Sequence, residues 1–210
     1  VSMALVVSTA RAQVPQPPPA PPPAALAPPP VPTGTAHRHL GFALRLDLGF
    51  GYLDSSASAI DTSFKGGAGS FGIMIGGAVA ENLILAGELW DSVAVSPTFT
   101  QGGFSLSGVS ASLALVGYGV NLTYYFMPAN VYLSLSPSIT TLNLSASGLT
   151  GRTETGFGMK IAIGKEWWVG DHWGLGLAGQ FFFANNKDQG TNPPTWSSLA
   201  GALAFSATYN

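Results

Sequence analysis

Residues 40–52 alternate between large apolar side chains and small or polar ones. Because successive side chains of an extended strand point to opposite faces, this alternation predicts a strand with one continuous apolar face. The other face carries glycine, alanine and one pair of opposite charges, Arg45 and Asp47. A strand of a soluble sheet would carry more Lys, Glu or Thr on its solvent face. The pattern is typical of a membrane β-barrel, with lipid outside the strand and a narrow lumen inside.

Seven further segments alternate in a similar way, and eight is the smallest even strand number of bacterial outer-membrane barrels. The predicted fold is all-β, an eight-stranded antiparallel up-and-down transmembrane β-barrel that follows a Pro-rich disordered arm. In 109–126 the apolar positions change phase, which predicts a β-bulge near Leu115 and Val116. The predicted strands are 40–52, 68–79, 83–93, 109–126, 131–144, 155–168, 173–184 and 196–209.

Short and long connections alternate strictly between these strands. The short ones are 80–82, 127–130 and 169–172, and the long ones are 53–67, 94–108, 145–154 and 185–195. Outer-membrane barrels have short periplasmic turns and longer external loops. The sequence therefore predicts four extracellular loops and two barrel ends that both lie in the periplasm.

The composition fits a membrane barrel better than the alternative, a soluble β-sandwich. Only 9% of the residues are charged, against roughly 25% in an ordinary soluble domain. No apolar run is long enough for a membrane helix, which needs 18 or more residues. The absence of cysteine excludes disulfides and thiol chemistry. A net charge of −2 and the lack of a basic run exclude nucleic acid as a partner.

The N-terminal region predicts export. Residues 1–12 resemble part of a secretory signal peptide, with Ala10-Arg11-Ala12 as the cleavage pattern. Residues 13–37 are so rich in proline that they predict a periplasmic linker of extended polyproline II. A semi-rigid spacer and a ligand for an envelope partner are both compatible with that linker. The predicted barrel domain is 38–210.

Five ionisable side chains are in register with the small-residue, lumen-facing side of their strands. An unpaired buried charge costs several kcal/mol, so these groups should pair with one another. The pairing favours a salt-bridge network that plugs the lumen, and a narrow ion path is the alternative. The predicted network consists of Arg45, Asp47, Glu88, Lys160 and Glu166.

Aromatic side chains gather near the predicted strand ends, where amphipathic rings form girdles at the lipid headgroups. Lys165 shares an apolar face, and its long stem should let the ammonium reach the headgroup level. The predicted girdle consists of Tyr52, Trp90, Tyr124, Phe126, Trp167, Trp173, Trp196 and Tyr209.

Residues 38–210 resemble small outer-membrane β-barrels of the OmpA/OmpX type. The resemblance rests on the Phe50-Gly51-Tyr52 ending of the first strand and on the closing segment 202–209. It implies an outer-membrane location in a Gram-negative bacterium, contact with lipid and lipopolysaccharide, and insertion by the barrel assembly machinery. Closing strands of this family usually end on an aromatic residue, whereas here Asn210 follows Tyr209.

The three histidines give little support to catalysis. Some eight-stranded barrels resemble lipid A deacylases or acyltransferases, which need a Ser activated by a His at the outer edge. His172 is predicted at the periplasmic end, while His37 and His39 are expected to be solvated and make a poor metal site. No catalytic, cofactor or metal residue is therefore assigned.

The predicted function is that of a non-enzymatic integral outer-membrane protein with a structural or interaction role through its four loops. Surface or periplasmic envelope proteins are the candidate partners. A narrow porin-like channel for ions or small solutes is the alternative, and a lipid-modifying enzyme is less favoured.

Overall fold

The computed structural model describes residues 38–146 and 148–210. The predictions for the signal peptide at 1–12 and for the Pro-rich linker at 13–37 lie outside the described residues.

Eight long antiparallel strands form a closed barrel, and three short strands extend its hairpins. The barrel strands are β1 (Phe42–Ala57), β2 (Thr62–Ala80), β3 (Leu83–Val95), β6 (Ala111–Phe126), β7 (Val131–Ala146), β9 (Gly156–Trp168), β10 (Trp173–Lys187) and β11 (Thr195–Tyr209). The short strands are β4 (Thr98–Gln101), β5 (Phe104–Leu106) and β8 (Leu149–Arg152). The predicted fold class is confirmed.

Pairing between the first and last strands closes the sheet. Strand β1 pairs with β2 on one side and with β11 on the other, so that Phe50 lies opposite both Gly69 and Leu203. Every other barrel strand pairs antiparallel with its neighbours along the chain. Closure removes the unpaired strand edges through which β-sheets aggregate.

The two ends of the barrel differ in their connections. One, here called the short-turn end, carries the turns 81–82, 127–130 and 169–172, together with the start of β1 and the end of β11. The other, here called the long-loop end, carries the connections 58–61, 96–110, 147–155 and 188–194, with β4, β5 and β8 among them.

The prediction that 53–67 forms a long loop is wrong. Strands β1 and β2 continue in register to the pair Ala57 and Thr62, and a short 3₁₀ helix with Asp61 at φ 45° joins them. Leu53 and Ala57 are buried inside the barrel, so the inward alternation continues past the predicted end of the strand. The serine and glycine residues of this segment had suggested a loop. Backbone hydrogen bonds between β1 and β2 hold them in extended strands instead.

The predicted bulge near Leu115 and Val116 is also wrong. Strand β6 pairs with β3 without a register shift, and in the described part of the sheet the shift falls between Ala78 and Ala80 of β2. Leu113 and Leu115 point into the barrel and are fully buried. The apolar positions change phase in the sequence for another reason. The lumen around Leu113 and Leu115 is itself apolar, so that large apolar residues occupy the inner face of the strand there.

The outer surface of the barrel is strongly apolar. Leu48, Phe50 and Leu203 are 69%, 73% and 65% exposed, and they are part of a belt of apolar side chains around the sheet. A contiguous apolar surface of this extent is far larger than soluble proteins tolerate, and lipid is the environment that matches it. Among the described residues, no helix has the length and hydropathy to cross a membrane.

Candidate functional site

A cluster of buried charges lies in the middle of the lumen. The Lys160 Nζ atom on β9 is 2.8 Å from Glu88 Oε1 on β3 and 3.2 Å from Asp47 Oδ2 on β1. The Arg45 Nε atom is 3.6 Å from the same Asp47 oxygen. A Cβ atom at Gly72 would lie 3.2 Å from both Asp47 Oδ2 and Lys160 Nζ, so glycine at this position leaves room for the ion pairs.

Neutral side chains also donate or accept hydrogen bonds within this cluster. Asn121 Nδ2 donates to Glu88 Oε2 at 2.9 Å and to Ser134 Oγ at 2.7 Å. Arg45 Nη2 donates to Ser134 Oγ at 3.3 Å, and its guanidinium lies 4.7 Å from the centre of the Tyr132 ring. Ser134 and Tyr132 are not among the predicted lumen residues, although the alternation in 131–144 places both on the inner face.

Glu166 does not join these ion pairs. Its Oε1 atom accepts hydrogen bonds from Thr208 Oγ1 at 2.7 Å and from Tyr125 Oη at 3.3 Å. In the described part of the chain it lies within ion-pair distance of no cation. The structure therefore brings four of the five predicted lumen residues into direct contact, and it places Glu166 among hydroxyls near the short-turn end. Glu166 lies farther along β9 than Lys160, close to the end of the strand at Trp168, and this separates it from the ion pairs.

Above the charges, toward the long-loop end, the lumen is filled by apolar side chains. The Trp90 ring lies 5.1 Å from the Phe182 ring, and its Nε1–H donates to Ser138 Oγ at 2.9 Å. Gly117 faces the indole, and a Cβ atom there would overlap the ring. The upper apolar cluster consists of Leu53, Ala57, Phe64, Ala68, Trp90, Ala94, Leu113, Leu115, Leu142, Phe182, Ala184, Trp196 and Ala200.

The assignment of Trp90 and Trp196 to the aromatic girdle is therefore wrong. They are only 0% and 8% exposed, because their positions along the strand place them on the inner face. Trp90 shares that face with Glu88, and Trp196 shares it with Ala200. Nearness to a strand end suggested a girdle, but the two-residue period determines which side of the wall a ring occupies.

The other predicted girdle residues lie on the outer surface. Tyr52 is exposed in the half of β1 nearer the long-loop end. At the short-turn end, the Lys165 ammonium lies 5.6 Å from the Trp167 ring and donates to the carbonyl oxygen of Ala129. The remaining side chains at this end are Tyr124, Phe126, Trp173 and Tyr209, of which Tyr209 is half-buried. Their placement at the headgroups stays a prediction.

His39 is buried across the short-turn end, which contradicts the expectation of a solvated histidine. Its ring stacks on Tyr125 with centroids 3.5 Å apart. The Nε2 atom is 2.8 Å from Asn130 Oδ1, and the Nδ1 atom is 2.8 Å from Asn210 Nδ2. The backbone N–H of His39 donates to Asn82 Oδ1. His39 thus joins two turns to the end of β11. His39, Asn82, Asn130 and Asn210 are here called the polar cap.

The polar cap, which no pattern in the sequence predicted, is expected to stabilise the barrel. The variant His39→Ala loses the hydrogen bonds to Asn130 Oδ1, which is buried, and to Asn210 Nδ2, so the free energy of unfolding should fall by roughly 1–3 kcal/mol. Urea titration of the protein in detergent measures this change. The exposed His172, whose Nδ1 atom contacts the Asn210 carbonyl oxygen at 2.9 Å, provides the control. Equal effects of His39→Ala and His172→Ala would contradict the role of the cap.

The architecture of this chain can be compared with that of known proteins. No protein-family model matches the chain, and no curated protein matches it. The crystal structure of Neisserial surface protein A has a TM-score of 0.58 at 14% identity, covering 80% of this chain and 97% of that one. The chain has the fold of a small outer-membrane β-barrel. The resemblance inferred from the sequence is confirmed at the level of the fold.

Two other solved structures match this small barrel more distantly. The outer membrane protein OprG from Pseudomonas aeruginosa has a TM-score of 0.47 at 11% identity, and the match covers 82% of this chain and 98% of that one. The outer membrane protein AlkL, solved in DMPC lipid bilayers, has a TM-score of 0.48 at 14% identity, with 87% and 96% covered.

The chemistry available inside the barrel is electrostatic. Its charged side chains are held by one another and by hydroxyl and amide groups, which fixes their positions. Among the described residues, no group of three or more His, Cys, Asp or Glu side chains is arranged to hold a metal ion.

Proposed function

We propose that the protein is an integral outer-membrane protein whose lumen is closed to solutes and whose loops carry a structural or interaction role. The observation that carries this proposal is the filling of the lumen at three successive levels. The polar cap lies at the short-turn end, the charge cluster in the middle and the upper apolar cluster beyond it.

Each level opposes the passage of solutes for a different physical reason. An eight-stranded barrel has an interior just wide enough for its own side chains. Opening the middle level would separate Lys160 from Glu88 and Asp47, and unpaired buried charges cost several kcal/mol. Opening the upper level would require the Trp90 and Phe182 rings to leave a packed cluster.

The proposed location is the outer membrane of a Gram-negative bacterium, with the short-turn end in the periplasm and the long-loop end outside. The apolar belt supports contact with lipid and lipopolysaccharide. The closing strand β11, which ends on Tyr209, is the segment we expect the barrel assembly machinery to recognise. Surface or periplasmic envelope proteins are the proposed partners of the loops, and no catalytic step is assigned.

One observation favours the alternative, a narrow channel for ions or small solutes. Several buried polar atoms in the lumen have no hydrogen-bond partner among the described residues, including Arg45 Nη1, Asp47 Oδ1, Glu166 Oε2 and Gln180 Nε2. Buried polar groups normally bind a protein group or water, so these atoms would suit a hydrated lower lumen. Water there would conduct only if the upper apolar cluster also opened.

Planar-bilayer recording separates the two functions. The proposal predicts no stable unit conductance from the purified, refolded barrel, because the upper apolar cluster blocks the lumen. Protein that was heat-unfolded before addition controls for nonspecific leakage. A reproducible ion-selective conductance that changes its selectivity in Arg45→Ala would overturn the proposal in favour of the channel.

Cysteine labelling tests the proposed topology. Gly102 and Gln189 are exposed at the long-loop end, so cysteines placed there should react with an impermeant maleimide on whole cells. Cysteine at Asp171, which is exposed at the short-turn end, should react only after the cells are opened. Whole-cell labelling at Asp171 with protection at Gly102 would invert the orientation.

A further inference from the structure

A pocket lies at the long-loop end, above the upper apolar cluster. Its floor is formed by Phe64, Leu113, Leu142 and Trp196, and its rim carries Arg152 and Asp188. These six residues define what is here called the mouth pocket. No predicted site residue other than Trp196 belongs to it.

The floor is held in place by aromatic packing. The Phe64 ring lies 5.9 Å from the Trp196 ring and 5.1 Å from the Phe99 ring. The Trp196 Nε1–H donates to Asp188 Oδ2 at 3.4 Å, which ties the floor to the connection between β10 and β11. An aromatic floor of fixed orientation is suited to stacking against another flat ring.

Backbone pairing carries Arg152 to the rim. Strand β8 pairs with the end of β7, with Arg152 opposite Asn143. Thr153 then exchanges two hydrogen bonds with Leu142, one through each backbone N–H, both at 3.0 Å. The cation is thus attached to the same segment of β7 that supplies Leu142 to the floor.

The two rim charges differ in their availability. Asp188 Oδ1 accepts from the Gln189 N–H at 2.8 Å, and its Oδ2 accepts from Trp196. Arg152 is exposed and forms no ion pair within the ranges that the structure describes. Both oxygens of the Asp188 carboxylate are thus already hydrogen-bonded, whereas the Arg152 guanidinium is the rim group with donors available for a ligand above the apolar aromatic floor.

We propose that the mouth pocket binds a small aromatic carboxylate. Its ring packs on Phe64 and Trp196, and its carboxylate accepts hydrogen bonds from the Arg152 guanidinium, whose planar fork matches a carboxylate. This inference rests on the proposed function, because it assigns a ligand class to the loops of a closed barrel.

The test uses the full chain labelled with 5-fluorotryptophan and inserted in lipid nanodiscs, with benzoate as the probe. In fluorine NMR spectra, benzoate should shift the Trp196 resonance saturably, while those of Trp167 and Trp173 at the opposite end stay unchanged. The variant Trp196→Phe assigns the resonance. Benzyl alcohol, which has the ring without the charge, should bind at least about tenfold more weakly, as expected for loss of a charge-assisted pair.

Two variants test the part played by the cation. Arg152→Gln should weaken benzoate binding about tenfold, whereas Lys187→Gln should leave it unchanged. Lys187 is a matched control, because it is exposed at the same end but does not line the pocket. Each variant is first checked for folding by its heat-modifiable migration in a detergent gel.

Three results would overturn the inference. They are an unshifted Trp196 resonance, parallel shifts of Trp167 and Trp173 that indicate partition of benzoate into the bilayer, and equal binding by the Arg152→Gln and Lys187→Gln variants. The planar-bilayer recording is a separate measurement. A conducting barrel would contradict the closed lumen while leaving benzoate binding at the mouth intact, so the two failures are distinguishable.

Discussion

Replacing Lys160 with alanine is expected to lower the free energy of unfolding of the barrel by roughly 3–5 kcal/mol. The ammonium lies 2.8 Å from Glu88 and 3.2 Å from Asp47, and all three side chains are buried. Its removal leaves the Glu88 and Asp47 carboxylates in a confined lumen, where they repel each other and Arg45 is their remaining cation. Equilibrium unfolding in urea, with the protein in lipid vesicles, measures the loss.

A double-mutant cycle separates the ion pair from the general loss of packing. Lys160→Met combined with Glu88→Gln should cost clearly less than the sum of the two single changes. Each single change leaves the other residue charged without this partner, whereas the double variant removes both charges of the pair. Lys65 provides the matched control, since its Nζ atom lies 2.9 Å from Asp54 Oδ2 but both side chains are partly exposed. Lys65→Ala should cost at most about 1 kcal/mol. Additive energies for Lys160 and Glu88 would refute the pairing.

The positions of these charges could be predicted from the sequence because alternation fixes the side of the wall on which a residue lies. Arg45, Asp47, Glu88 and Lys160 share the inner face with small residues, and the structure places them there. Which charges touch could not be predicted so well. Contacts across a barrel depend on the stagger between strands, and the sequence of one strand does not determine that stagger. Glu166 shows this limit, since it lies inside the barrel but outside the ion pairs.

The polar cap could not be predicted from local patterns at all. His39 follows a segment without periodicity, and its partners are amides in two distant turns and at Asn210. A histidine beside a polar linker is expected to be solvated, whereas closure of the barrel brings three asparagines around it. The signal that was present in the sequence is the asparagine in each of two short turns, Asn82 and Asn130.

The upper apolar cluster was missed for a related reason. A membrane barrel is expected to be polar inside, so Leu113 and Leu115 suggested a change of phase and Trp90 suggested a girdle. In this barrel the inner face changes from charged to apolar along its length. The two-residue alternation therefore predicts which side chains point into the lumen more accurately than the expectation that the lumen is polar.

Trp90→Ala should lower the free energy of unfolding by roughly 3–5 kcal/mol, the range for removal of a fully buried aromatic side chain. The indole packs on Phe182, occupies the space over Gly117 and donates a hydrogen bond to Ser138. Trp90→Phe keeps the ring but loses that hydrogen bond, so it should cost less than the alanine variant. Urea unfolding monitored by circular dichroism measures both changes.

Trp173 supplies the control for the loss of a tryptophan. It is 44% exposed on the outer surface, so Trp173→Ala removes the same side chain without leaving a cavity in the lumen, and it should cost clearly less. If Trp90 instead belonged to a lipid girdle, the two alanine variants would destabilise the barrel equally. A large loss for Trp90→Ala and a small one for Trp173→Ala is the result that an apolar, packed upper lumen requires.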